Sequence, residues 1–212
     1  MKLKEKIENY WYHYKWPTII VAFFVVVAAV LVAQLFQKQK YDAFVMYVGD
    51  KEITQTQYTD IVTSLKTLAP DATNDGVITV NFSKLAYITD PEKAFYSQIN
   101  VSAKEQLASM VVLPYYIYIM PREIYNEYKD SGVFEKLSEI YGKAVPSSAE
   151  DEYAINYNKT YFAQNCAGGE GFGDDVVIVM KIVPYSNNKR TLKKEQASYD
   201  AHLELFKKMV GN

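Results

Sequence analysis

Residues 41–48 read Tyr-Asp-Ala-Phe-Val-Met-Tyr-Val and run into Gly49-Asp50. Only Asp42 interrupts the apolar character, so both faces of this strand need cover. Such a strand belongs inside a sheet with helices on either side, and that inference sets the fold class. Working downstream, Thr54–Ala69 is a helix: Tyr58, Ile61, Val62, Leu65 and Leu68 recur at spacings of three and four, and Pro70 stops it. Gly76 precedes a second strand, Val77–Phe82, and an irregular stretch runs through Asp90-Pro91. Ala103–Met110 is a short helix and Tyr115–Met120 a third strand between Pro114 and Pro121. Arg122–Lys129 is a helix ended by Gly132, and Phe134–Tyr141 is a helical turn. The alternation predicts an α/β domain with a mixed, mainly parallel sheet flanked by helices.

The second half changes character. Tyr153–Tyr157 and Tyr161–Gln164 flank Asn158-Lys159-Thr160, which predicts a β-hairpin. Val176–Val183 is an apolar strand ended by Pro184. Thr191 is then the expected cap of a C-terminal helix, Leu192–Val210, whose Tyr199, Leu203, Phe206 and Val210 share one face and should cover Val176–Val183.

Upstream, residues 18–36 read TIIVAFFVVVAAVLVAQLF, without a charge and with one amide, Gln34. At the helical rise they span about 28 Å, matching a bilayer core. The run is too long for a cleaved signal peptide, and its one small-residue site, Val27-Ala28-Ala29, lies inside it. An uncleaved signal-anchor helix is the reading. Four lysines, Lys2, Lys4, Lys6 and Lys15, precede it and two, Lys38 and Lys40, follow. The excess of positive charge places the N-terminus inside and residues 41–212 outside the cytoplasmic membrane. Trp11, Tyr12, Tyr14 and Trp16 are the candidate membrane-interface residues, on a short helix expected to end at Pro17. The domains are thus 1–17 interfacial segment, 18–36 transmembrane helix, 37–40 short link, and 41–212 extracytoplasmic α/β domain.

The chain has 212 residues and a formal net charge of −2, split between +4 for residues 1–40 and −6 for the remainder. An acidic body argues against nucleic acid as a partner. The expected partners are the lipid bilayer and either a small solute or other membrane or cell-surface proteins. Cys166 is the one cysteine, so no internal disulfide forms.

The run Ser102-Ala103-Lys104-Glu105-Gln106-Leu107, then Tyr116-Ile117-Tyr118-Ile119, then Gly132-Val133-Phe134-Glu135-Lys136-Leu137 resembles one lobe of bacterial extracytoplasmic solute-binding proteins. The basic, aromatic opening with Pro17 and one span is similar to small membrane-anchored proteins of Gram-positive bacteria. The resemblance covers roughly residues 41–141 and implies a ligand-binding lobe. That family encloses its ligand between two lobes, and this chain has length for one.

Catalytic chemistry has little to stand on. His13 and His202 are the two histidines, too few for a multi-histidine metal site, and His202 reads as an exposed or half-buried helix residue. Cys166 has no histidine beside it and reads as a small packing residue. The glycine-rich stretch 167–175 leads into a strand and carries Glu170, Asp174 and Asp175, so it reads as a flexible surface loop and not a phosphate cradle. Asp71, Thr73, Asp75 and Gly76 match a calcium loop in part, but Phe82 stands where its glutamate belongs, so the segment reads as a turn. No cofactor and no enzyme activity are expected. The leading reading is a membrane-tethered ligand-binding or interaction module, with its site at the carboxyl ends of the parallel strands near Gly49, Asp50, Pro121 and Arg122. An accessory subunit of a membrane complex and a carboxylate-based cell-surface hydrolase are the alternatives.

Overall fold

The computed structural model describes residues 3–36, 40–90, 92 and 97–211. The chain divides into two compact units, residues 1–40 and 41–212. The first is one helix, α1 (Leu3–Phe36), with Pro17 inside it. Its segment Tyr10–Val32 is long and apolar enough to cross a membrane. The expected break at Pro17 does not occur. Proline removes a single N–H, and the turns on either side keep their own bonds. The Tyr10 and Tyr14 rings stack at 5.3 Å, and the Tyr10 hydroxyl lies 3.0 Å from the Thr18 hydroxyl, spanning the proline. Trp11, Tyr12, Tyr14 and Trp16 are all exposed. The link at 37–39, Pro91 and Lys2 lie outside the described residues.

The second unit is an α/β domain around a five-stranded mixed sheet. Its elements are β1 (Ala43–Gly49), α2 (Gln55–Leu68), β2 (Val80–Ala86), α3 (Ser97–Ala108), β3 (Ile117–Pro121), α4 (Arg122–Tyr128), α5 (Leu137–Tyr141), β4 (Ala154–Asn156), α6 (Tyr161–Asn165), β5 (Val176–Met180) and α7 (Lys189–Val210). The strand order is β2-β1-β3-β5-β4. β1 pairs in parallel with β2 and β3, while β5 runs antiparallel to both β3 and β4.

Side-chain alternation sorts the strands into two cores. Ala43, Val45, Tyr47, Ile117, Ile119, Ile178 and Met180 face Ile61 and Leu65 of α2, Phe162 of α6, and Leu205, Phe206 and Met209 of α7. Met46, Val48, Tyr118, Met120, Val177 and Val179 face Ala103 and Leu107 of α3 and Ile124 and Tyr125 of α4. A strand without a polar face therefore has helices on both sides, as residues 41–48 require.

Three local expectations fail for identifiable reasons. Residues 161–165 are helical, because the Thr160 hydroxyl donates to the Tyr157 carbonyl (2.7 Å) and accepts from the Ala163 N–H (3.2 Å), capping a helix where a hairpin strand was expected. The strand before it pairs with Val177–Val179 instead. α7 starts three residues early, at the cap Asn188, whose side chain accepts from the N–H groups of Arg190 (2.9 Å) and Thr191 (3.3 Å). α7 also lies over β1, between α2 and α6, and not chiefly on Val176–Val183.

Candidate functional site

β2 and β3 lie on opposite sides of β1, so the chain leaves β1 one way and returns on the other. Connections on opposite faces part at such a switch point and leave a crevice at the carboxyl ends of the strands. A cleft of about 280 Å³ occupies that place, lined by Tyr47, Asp50, Lys51, Thr89, Pro121, Arg122, Glu123 and residues 172–176. Asp50, Pro121 and Arg122 thus share one cleft. Gly49 does not line it, but a Cβ there would come within 2.3 Å of the Tyr47 hydroxyl, so the glycine makes room for that ring.

Tyr47 forms the floor. Its hydroxyl donates to the Phe172 carbonyl (3.1 Å) and receives the Lys51 N–H at 3.4 Å. Burial pushes its pKa up to about 12; the Lys51 N–H opposes this and Asp50 adds to it. At neutral pH it is a donor and not a base.

Arg122 is committed to the protein. Its Nε donates to Asp175 (2.5 Å), its Nη1 to Glu150, and its backbone N–H to the Asp175 carbonyl (3.0 Å). Glu150 in turn accepts from the Asn156 amide at 2.7 Å. The guanidinium therefore pins the start of β5 to the end of β3, and two carboxylates cancel its charge. Asp50 accepts from the Thr89 hydroxyl at 3.3 Å, and Glu123 from the Tyr87 hydroxyl at 3.5 Å. With Arg122 neutralised, Asp50, Glu123 and Asp174 outnumber Lys51, and the cleft favours a neutral polar or cationic group over an anion. Among the described residues, no group of three or more metal-binding side chains comes together.

The glycine-rich stretch 167–175 is a built wall and not the expected flexible loop. Phe172 is buried against Tyr47 (4.5 Å between centroids), Tyr157 (5.4 Å) and Phe82 (6.1 Å). The Gly169 carbonyl accepts from the Tyr157 hydroxyl (2.6 Å) and the Ala167 carbonyl from Ser64 (2.9 Å). Phe172, Asp174 and Asp175 are therefore cleft residues that sequence reasoning missed. The lone aromatic among glycines and acids was the available signal.

The other residues weighed for chemistry have structural partners. His202 is fully buried, contrary to the sequence reading: its Nε2 accepts the Phe44 N–H (2.8 Å) and its Nδ1–H donates to the Ser198 carbonyl (2.6 Å). Burial lowers its pKa to about 4; the Ser198 bond opposes this, and Lys181 adds to it. Cys166 is half-buried at the end of α6, and burial raises its pKa. The Asp71 carboxylate accepts from the Asp75 (3.3 Å) and Gly76 (2.9 Å) N–H groups and so closes the turn. No protein-family model, curated protein or solved structure matches the chain.

Proposed function

We propose that residues 41–212 form a membrane-tethered extracytoplasmic binding module that takes a neutral polar or cationic ligand in the crevice between the carboxyl ends of β1 and β3. The carrying observation is the cleft at the switch point, where Asp50, Glu123 and Asp174 outnumber Lys51.

Thermal unfolding of the full chain in nanodiscs tests this against panels of neutral sugars, zwitterionic amino acids, cationic peptides and anionic sugars. Binding to the native state raises the midpoint. A neutral or cationic panel member should raise it, and Asp50→Asn with Asp174→Asn should weaken the effect of a cationic one. Stabilisation by anionic sugars alone, or by nothing, overturns the proposal.

Outward orientation has its own test. A cysteine at exposed Glu170, in a Cys166→Ser background, should react with a membrane-impermeant maleimide in intact protoplasts. Reaction only after lysis reverses the topology.

A further inference from the structure

The amino ends of the parallel strands carry a different surface. There Met110-Val111-Val112-Leu113-Pro114 leads into β3, and Pro184-Tyr185-Ser186 leads out of β5 towards α7. Val112 and Tyr185 are 81% and 87% exposed, and together they line an open cleft of about 530 Å³ with Phe44 and Lys194.

This apolar edge is held in place. Lys181 is fully buried beneath it, and its ammonium donates to the carbonyls of Met110, Val111 and Leu113 while sitting 4.6 Å from the Tyr116 ring centroid. A buried ammonium satisfied by three carbonyls fixes that backbone, and the valine side chains are kept outward.

Beside the edge, the first turns of α7 carry Lys189, Arg190, Lys193 and Lys194, and residues 181–194 contain no acid. None of these four forms an ion pair among the described residues. Glu195, the nearest acid in sequence, accepts a 2.6 Å bond from the Tyr116 hydroxyl.

The chain enters the domain at this end. Tyr41, which enters the domain from the anchor, packs its ring on Phe44 at 5.4 Å, and Phe44 lines the cleft. The link of residues 37–40 reaches about 14 Å at full extension. We propose that this end of the domain, built from Val111, Val112, Leu113 and Tyr185 with the basic turn of α7, rests on an anionic bilayer surface. The proposal rests on the reading of α1 as a membrane anchor. Valines and a tyrosine enter the headgroup layer, and lysine and arginine meet anionic lipid, each worth about five-fold in surface affinity.

The test places an environment-sensitive nitrobenzoxadiazole dye on the full chain with Cys166→Ser, attached either at Val112→Cys or at Asp174→Cys on the opposite end of the sheet. Nanodiscs contain phosphatidylcholine alone or with phosphatidylglycerol, with or without doxyl-labelled lipid. The dye at 112 should shift to the blue and lose emission to the doxyl quencher, more strongly in the anionic discs, while the dye at 174 does neither. Reversing Lys189, Arg190, Lys193 and Lys194 to glutamate should abolish the dependence on anionic lipid and leave ligand stabilisation at the carboxyl-end crevice intact. A dye at 112 that stays water-exposed overturns the proposal, as does a blue shift without lipid quenching, which reports burial in protein and not in lipid. Failure of the chain to insert into the discs overturns the anchor reading and this proposal with it.

Discussion

Acid should unfold this domain partly through one imidazole. His202 sits fully buried on α7 with both ring nitrogens engaged by the backbone, Nε2 as acceptor and Nδ1–H as donor. A second proton has no acceptor, since the Phe44 N–H already points at Nε2, and the Lys181 ammonium repels the charge. The ring stacks between Tyr116 (4.8 Å) and Phe44 (6.2 Å), so water cannot compensate. The folded-state pKa falls to about 4 from an ordinary 6.5. The unfolded chain therefore binds more protons between those values. The stability from neutral His202 is complete above pH 6.5 and declines as pH falls towards 4, by about 3 kcal/mol in all. That is a large share of a typical domain's margin. The assay is denaturant unfolding of the full chain in detergent at pH 7.5 and pH 4, followed by near-ultraviolet circular dichroism. Carboxylates titrate there too, so the comparison is with His202→Gln, which retains an acceptor but no titration. The variant should be weaker at pH 7.5 and lose less on acidification, by about 3 kcal/mol. With only two histidines in the chain, NMR reads the ring directly. Parallel acid losses in the two proteins, or a His202 ring titrating near 6.5, would refute the reasoning.

Three substitutions probe other parts of the structure. Lys181→Met removes the donor to three carbonyls in the segment between α3 and β3, and should destabilise by about 1–3 kcal/mol and speed amide exchange across residues 110–113; unchanged exchange would show that the ammonium does not hold that edge. Gly169→Ala drives a Cβ to 2.1 Å from the Phe162 carbonyl, which is backbone and cannot swing aside. It should cost about 1–3 kcal/mol in denaturant unfolding, and a neutral result would contradict the packing of the 167–175 wall. Gly49→Ala pushes the Tyr47 ring out of the cleft floor, so ligand stabilisation should be lost while most of the fold's stability remains; unaltered ligand response would remove Tyr47 from the site.

The elements legible in the sequence are those with a strong period or a strong run. β1, α2 and β3 needed nothing beyond local pattern, because an uninterrupted apolar strand and a three-four helical stripe each have one stable use. Capping was harder. Thr160 and Asn188 decide where α6 and α7 begin, yet each competes with neighbours of similar capping strength, Asn158 for the first and Thr191 for the second. Pro17 misled for a related reason: one missing N–H is a strong stop in a short helix and a minor loss inside a run of 34 helical residues. α7 meets β1 through contacts such as the Phe44–His202 bond, between residues 158 apart in sequence, and no local pattern carries that information.

For the candidate site, topology was legible and chemistry was not. Placing Asp50 and Arg122 near one another needs only that β1 and β3 run parallel and adjacent, since each residue follows its strand by a step. The state of Arg122 needs the antiparallel return of β5, which brings Asp175 to the guanidinium, and the turn before β4, which brings Glu150. An arginine read in isolation promises an anion site; the same arginine between two carboxylates becomes a clamp, and the cleft beside it turns acidic. The antiparallel strand also sends residues 181–194, with no acid among them, to the opposite end of the sheet. The domain's overall charge of −6 therefore conceals a local basic stretch at one end, although Asp71, Asp75 and Glu135 lie at that end too. Tyr41 and Phe44 open the domain at the end that carries Val112 and Tyr185, and the crevice with Asp50 and Asp174 lies at the other end.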